Sequence, residues 1–484
     1  MERNEAFLAR AESLKPELNK KIRTVRGSGK AMKKGDALCF DFGEHLVGKV
    51  SLKLSFSGSH PDAPAWLRLK FAERLQELRE NVENYRGWIS ASWVQQEQLH
   101  VDVLPCDCRL ARRFALRYVQ IEVLDISSKY DLVVESVSCE AVSSADETAL
   151  QPYETTDPVL MQLDAVACRT LHNCMQLVFE DGPKRDRRLW IGDLRLQALA
   201  NYQTYQNNDL VKRCLYLFAG STLPGGRVGA GLFIEPDVEA DDTVMFDYSL
   251  FFIPTLLDYY EATGDLETLH ELWPTAWRQI ELAQENFDEL GLVRDSDRVG
   301  WCFLDWNLSL NKQAGAQGVY LYCLHAAEKI AALLDNTDAV AWIAADSAVK
   351  KQAARDALFD TELGLFVSGA ERQLSWASQI WMVLGGVAGG SVLDRIVTCP
   401  NAVRMVTPYL YHHYVQALLD TGKKETALQV LNNYWGGMLR EGADTFWELY
   451  DPANPDASPY GGTIVNSYCH AWSCAPAYFL RKYF

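Results

Sequence analysis

A change of hydrophobic period near residue 150 constrains this fold more than any other feature. Ahead of it, apolar residues alternate. Val50, Leu52, Leu54 and Phe56 fall on one face, and the same alternation recurs at 67–71 and 99–103. A period of two belongs to strands with one buried face. Residues 114–124 and 132–142 have the make-up of two further strands, and 57–61 that of a loop. Several short, one-sided strands predict an antiparallel β-sandwich over residues 1–150, led at 1–26 by a helix or a poorly ordered arm.

Beyond residue 150 the period is helical. Asp157-Pro158 has the form of an N-cap followed by proline at the first helical position. Leu160, Leu163, Ala167, Leu171 and Cys174 then recur at helical spacing. Helices are expected at 158–179, 193–206, 208–221, 244–263, 266–288, 313–335, 338–358, 372–387, 391–398, 405–420, 423–439 and 467–483. The segments 263–268 and 421–426 share the form TGxxET, in which glycine ends one helix and the next follows at once. About a dozen paired helices over residues 151–484 predict an α/α toroid, with a less regular bundle or solenoid as the alternative. The fold class is therefore mixed and mainly α. The long irregular stretches are 181–192, 222–243, 289–312 and 441–466, where a toroid would build a site from loops at one end.

Composition narrows the partners. A formal net charge of −17, from 47 basic and 64 acidic residues, repels phosphates and argues against nucleic acid or an anionic membrane. No apolar run is long enough to span a bilayer, and the first residues lack the order of a signal peptide. The 12 cysteines are scattered, many of them in apolar helical stretches, and read as buried thiols of a reducing compartment. The expected location is cytoplasmic. Cys106 and Cys108 have neither zinc-knuckle nor thioredoxin spacing, His412-His413 has no carboxylate at ligand spacing, and no metal or other cofactor is required. The sequence assigns no oligomeric state.

The chemistry concentrates in Asp181-Gly182-Pro183-Lys184-Arg185-Asp186-Arg187-Arg188-Leu189-Trp190-Ile191-Gly192-Asp193. A run of this kind is commonly a solvated loop, but Trp190 and Gly192-Asp193 are poor choices for one. Three more clusters set a carboxylate beside an aromatic: Glu239 to Thr243 with Phe246-Asp247-Tyr248, Trp301 to Asn307, and Thr445-Phe446-Trp447-Glu448 with Tyr460 and Tyr468 to Trp472. Cleavage of a glycosidic bond uses that combination. One carboxylic acid protonates the leaving oxygen, one carboxylate activates water, and aromatic walls hold the sugar. Asp181 and Asp193 would raise the pKa of Asp186, and Arg185 and Arg187 would oppose that.

The segment 181–193 resembles the signature of glycoside hydrolase family 78, the inverting α-L-rhamnosidases: Asp-x-Pro-x-Arg, an acidic residue, Arg, then Trp-x-Gly-Asp. Residues 442–448, GADTFWE, resemble the family's Gly-Ala-x-Thr-x-Trp-Glu motif, and Arg112 to Val119 looks like its segment just ahead of the barrel. The resemblance covers roughly residues 110–484. It implies an (α/α)6 barrel behind a β-sandwich, and an exo-acting hydrolase that removes terminal α-L-rhamnose from a small or oligosaccharide glycoside. By position, Asp186 falls on the general acid, where the family usually has Glu, with Asp193 or Asp181 as alternatives. Glu448 falls on the general base. Asp181, Arg185, Trp190, Asp193, Asp247, Asp305, Trp306, Trp447 and His470 fall on or beside sugar-contacting positions. The rival readings are a glycosidase for another sugar on the same frame and a non-catalytic carbohydrate-binding protein.

Overall fold

The structure, a computed structural model, describes residues 2–296, 298 and 300–484. The alternating segments form one antiparallel network in the order Asn19–Arg26, Tyr130–Ser143, Ala37–Gly58, Cys106–Asp125, Ala65–Ala72, Gln96–Val101, with Ala31–Met32 also paired to Tyr130–Ser143. The register places Leu52 opposite both Val137 and Cys108. The alternation puts Val50, Leu52, Leu54, Leu67, Leu69 and Phe71 into one core with Phe114, Ile121 and Val134. Irregular pairing between Asp41 and Leu46 and between Lys49 and Ser51 bends the long strand Ala37–Gly58, as extra residues in a ladder do.

Of the two alternatives for the leading segment, helix or poorly ordered arm, residues 2–26 take the helix and add a strand that the sequence did not suggest. They form a helix, α1 (Glu5–Ser13), and the edge strand Asn19–Arg26, whose side chains are mostly exposed. An edge strand with no buried face and four basic residues carries no apolar alternation to read.

Twelve helices follow among the described residues: α2 (Pro158–Cys174), α3 (Ile191–Gln203), α4 (Asn208–Gly220), α5 (Phe246–Thr263), α6 (Leu266–Ala283), α7 (Gln313–Leu333), α8 (Thr337–Leu358), α9 (Trp376–Leu384), α10 (Ser391–Ile396), α11 (Pro408–Asp420), α12 (Lys424–Arg440) and α13 (Ala475–Tyr483). Their boundaries have local causes. The Asp157 carboxylate accepts the backbone N–H of Val159 and of Leu160 ahead of α2. Gly264, at φ 70°, ends α5, and Asp265 caps α6 one residue later.

The odd-numbered helices α3 to α13 make an inner ring and the even-numbered α2 to α12 an outer one, each packed on its sequence neighbour. The ring closes where His412 of α11 meets Tyr478 and Phe479 of α13, and α13 packs on α2 and α3. Inner helices are buried on nearly every side (α3 from Ile191 to Asn201), whereas α8 and α12 keep polar faces outward. The last helix begins at Ala475 and not at 467, because residues 467–474 fold into the irregular segment that completes the site described below. Among the described residues no helix is long and apolar enough to cross a membrane.

Close packing within the inner ring depends on Gly318 of α7. A Cβ there would lie 2.4 Å from the carbonyl carbon of Trp381 in α9. Gly318→Ala is therefore expected to lower the thermal unfolding midpoint, although alanine favours an isolated helix by about 1 kcal/mol. An unchanged or raised midpoint would show that α7 and α9 do not need this contact.

Candidate active site

The loop 181–188 is closed on itself before it reaches any partner. Asp181 N–H donates to the Arg188 carbonyl at 3.0 Å, and Arg188 N–H donates to Asp181 Oδ1 at 3.0 Å. Asp186 and Arg187, at φ 61° and 55°, occupy the left-handed region, which costs side-chain-bearing residues about 1–3 kcal/mol and marks sites held by their surroundings. At the exit from the loop, Leu189–Trp190 pairs with Gly231–Phe233, and α3 starts with Asp193 in its first turn.

The loop's central side chain is Arg185, 6% exposed. Its Nη2 donates to Glu448 Oε2, its Nη1 lies 3.2 Å from Asp186 Oδ1, and its Nε donates to the Val465 carbonyl at 3.2 Å. The Tyr460 ring lies under the guanidinium at 4.1 Å, and the Tyr460 hydroxyl donates to Glu448 Oε1. Trp472 Nε1 holds the Glu448 carbonyl at 2.9 Å. One planar guanidinium thus touches both Asp186 and Glu448, so their nearest oxygens are no more than about 8 Å apart.

A second acidic group lies beside this pair. Tyr248 OH donates to Asp193 Oδ2 at 3.2 Å, and it comes that close only because Gly192 has no side chain: a Cβ would meet the tyrosine ring at 2.6 Å. His470 sits between two acids, with Nε2 3.8 Å from Asp181 Oδ2 and Nδ1 3.8 Å from Asp193 Oδ1. Burial pushes the Asp193 carboxyl well above its ordinary value; Tyr248 opposes this, while Glu448 and Asp186 reinforce it. Burial, then Asp186 and Asp193, raise Asp181 likewise. Burial, with Arg185 nearby, holds the His470 imidazole well below its ordinary range, so it is neutral.

Among the described residues, the buried atoms Asp193 Oδ1, His470 Nδ1 and Trp306 Nε1 have no hydrogen-bond partner. Buried polar groups left unpaired are costly. An acceptor, a ring nitrogen and an indole donor grouped in this way are suited to the hydroxyls of a polyol. The Trp190 and Trp306 rings are half-buried, edge-on to Tyr248 and to Tyr460 respectively. Among the described residues no cluster of His, Cys, Asp or Glu is arranged to hold a metal ion.

Residues 10–141 match the glycosyl hydrolase family 78 alpha-rhamnosidase N-terminal domain, and residues 150–484 match the bacterial alpha-L-rhamnosidase 6 hairpin glycosidase domain. The chain belongs to glycoside hydrolase family 78. It is similar to a rhamnosidase from Klebsiella oxytoca solved with rhamnose bound: 47% identity, TM-score 0.96, 99% of each chain covered. The fold extends to a family 78 rhamnosidase of Bacillus sp. GL1 (22% identity, TM-score 0.78, 92% of this chain and 46% of that one). It also extends to the Streptomyces avermitilis α-L-rhamnosidase complexed with L-rhamnose (17% identity, TM-score 0.70, 96% and 44%). Comparison with curated protein sequences gives no significant match.

This family 78 hydrolase draws together most of the residues singled out from its sequence, and gives three of them other work. Asp247 accepts the backbone N–H of Phe303 and of Leu304, each at 2.9 Å. Asp305 accepts from the Val406 and Thr407 backbone at 2.8 and 2.9 Å and from the Thr407 hydroxyl. These two acids anchor the loop that carries Trp306. Trp447 faces away from Glu448, packed under Arg74 at 4.1 Å and against Tyr468.

The sequence reading missed residues 73–95, which leave the β-sheet and reach over the barrel loops. Tyr85 OH and Trp88 Nε1 donate to the carbonyls of Tyr460 and Pro459, both at 2.8 Å. Glu77 accepts the backbone N–H of Glu73 and Arg74 and pairs with Lys184, which is buried and also donates to the Asn466 carbonyl at 2.8 Å. Burial outweighs Lys184 and pushes the Glu77 carboxyl up to about 7. Removal of one member of such a pair strands the other. Lys184→Met is expected to destabilise the protein by about 3–5 kcal/mol, and the Glu77→Leu/Lys184→Met double variant by less. Chemical denaturation checks this, and a loss under 1 kcal/mol in the single variant would remove the pair from any role in holding the seam.

Proposed function

We propose that the protein is an inverting, exo-acting α-L-rhamnosidase in which Asp186 is the general acid and Glu448 the general base. The observation that carries this is the Arg185 guanidinium spanning both carboxylates. It limits their separation to about 8 Å, within reach of one glycosidic bond; inversion, in which the pair stands roughly 6.5–9.5 Å apart with a water between sugar and base, rests on the family resemblance. Glu448, oriented by Arg185, Tyr460 and Trp472, takes a proton from water as that water attacks the anomeric carbon. Asp186 gives its proton to the glycosidic oxygen, the C–O bond breaks, and solvent restores both groups. Rhamnose as the terminal sugar rests on the rhamnose-bound Klebsiella oxytoca relative. Asp193, His470 and Trp306 offer their free polar atoms to its hydroxyls. A cytoplasmic location rests on the cysteines, all 12 free and most of them buried.

A second assignment has one observation in its favour. Asp193, raised by burial and with Oδ1 unpartnered, has the proton that an acid needs. Position favours Asp186, whose side chain is 24% exposed and borders a cavity, while that of Asp193 is 3% exposed.

Proton NMR during hydrolysis of an aryl α-L-rhamnoside should show β-L-rhamnose as the first product, and an initial α product would end the inverting reading. Glu448→Gln is expected to lower kcat by about 10²–10⁴-fold whatever the leaving group. Asp186→Asn should lose as much on an alkyl or sugar leaving group but far less on a dinitrophenyl one, which departs without protonation. If Asp193→Asn shows that leaving-group dependence and Asp186→Asn does not, Asp193 is the acid.

A further inference from the structure

A cavity of about 640 Å³ has Asp186 but not Glu448 in its lining, and is walled by the β-sheet on one side and by barrel loops on the other. That volume falls in the roughly 300–1,000 Å³ range of small-molecule sites. Asp186 borders it. A general acid must touch the glycosidic oxygen, and the leaving group must extend away from the water held by Glu448. If Asp186 is that acid, as proposed above, the leaving group enters this cavity.

The walls specify its chemistry. Lys20 pairs with Glu140 at 3.5 Å, Arg113 with Glu180 at 2.7 Å, and Arg188 with Asp241 at 2.6 Å. Arg187 has no such carboxylate. Its Nη2 donates to the Arg113 carbonyl at 3.0 Å, its Nε is buried without a partner, and among the described residues it makes no ion pair. Glu180 is near Arg187 but already accepts two bonds from Arg113. Burial and the adjacent Arg113 push Arg187 down to about 10, so it remains a cation short of negative charge. Lys49, also on the wall, makes no ion pair among the described residues either, and Glu235 is an exposed acid at the rim.

Two further features suit a sugar ring. Gln176, 1% exposed, spends its Nε2 on the Val142 and Asn173 carbonyls and leaves Oε1 buried and unpartnered beside the cavity. Phe233 is 37% exposed, with the Arg188 guanidinium stacked at 4.1 Å, which leaves an apolar platform held in place from behind.

We propose that this cavity is the leaving-group subsite and that it selects a carboxylate-bearing sugar, a hexuronic acid, through Arg187, with Gln176 and Phe233 holding the ring. A neutral hexose offers the Arg187 N–H groups only hydroxyl acceptors, whereas a uronate supplies a carboxylate with the matching charge and the stronger bond.

The test compares kcat/KM for an α-L-rhamnosyl hexuronic acid and for the α-L-rhamnosyl hexose that differs only at C6. The wild type should favour the uronide tenfold or more. Arg187→Met should bring that ratio close to one, and Arg187→Lys should keep part of it. Free hexuronic acid should also inhibit wild-type hydrolysis of an aryl α-L-rhamnoside more strongly than the matching hexose, a readout that needs no variant. Equal rates on the two disaccharides, or an equal loss on both in Arg187→Met, would overturn the proposal while aryl rhamnoside hydrolysis stands. Absence of aryl rhamnoside hydrolysis by the wild type would overturn the function it rests on and this subsite with it.

Discussion

The candidate active centre is arranged around the buried charge of Arg185. A guanidinium removed from water must find anions and acceptors close by, or the fold pays for its isolation. Arg185 finds two carboxylates, one carbonyl and one aromatic face, and these come from residues 186, 448, 460 and 465. The requirement reaches beyond the contacts themselves. The loop 181–188 must lie flat on residues 467–469, and Gly182 permits it, since a Cβ there would come within 2.7 Å of Ser467 Oγ. The Ala471 N–H donates to the Asp181 carbonyl and completes the bracket. Satisfying one cation therefore positions both proposed proton-transfer groups.

The β-sheet takes part in the same arrangement. Residues 73–95 bring Glu77 to Lys184, Tyr85 to the backbone of Tyr460 and Val94 into an apolar cluster with Ile464 and Val465. These are the residues that carry the carbonyls and rings around Arg185. In this family 78 hydrolase the excursion from the sheet therefore braces the candidate site, and the cavity next to Asp186 is lined from both sides.

Much of this was readable from the chain. The helices stood out because each carries its own spacing and its own punctuation, as at Asp157-Pro158 and Gly264-Asp265. The candidate site stood out because acids, cations and tryptophans gather in loops with no structural need for them. What was not readable has a common physical cause. Asp247 and Asp305 sit beside aromatics just as Asp193 does, yet backbone N–H groups take up their oxygens, and no local pattern shows which amides a fold leaves unsatisfied. Trp447 and Glu448 are adjacent but turn opposite ways. Asn19–Arg26 has no buried face to leave a period. Residues 73–95 have no period at all, and the partners of Tyr85 and Trp88 lie more than 350 residues away at 459–460.

The closure of the inner ring by α13 has a consequence for when the protein becomes active. The segment carrying Glu448, Tyr460 and His470 runs straight into α13, which docks on α2 and α3. A polypeptide still being synthesised displays the Asp186 loop early, but it has nothing to set opposite that loop until residues 448–470 have emerged. The two proposed proton-transfer groups therefore come together only across the whole span of α3 to α12.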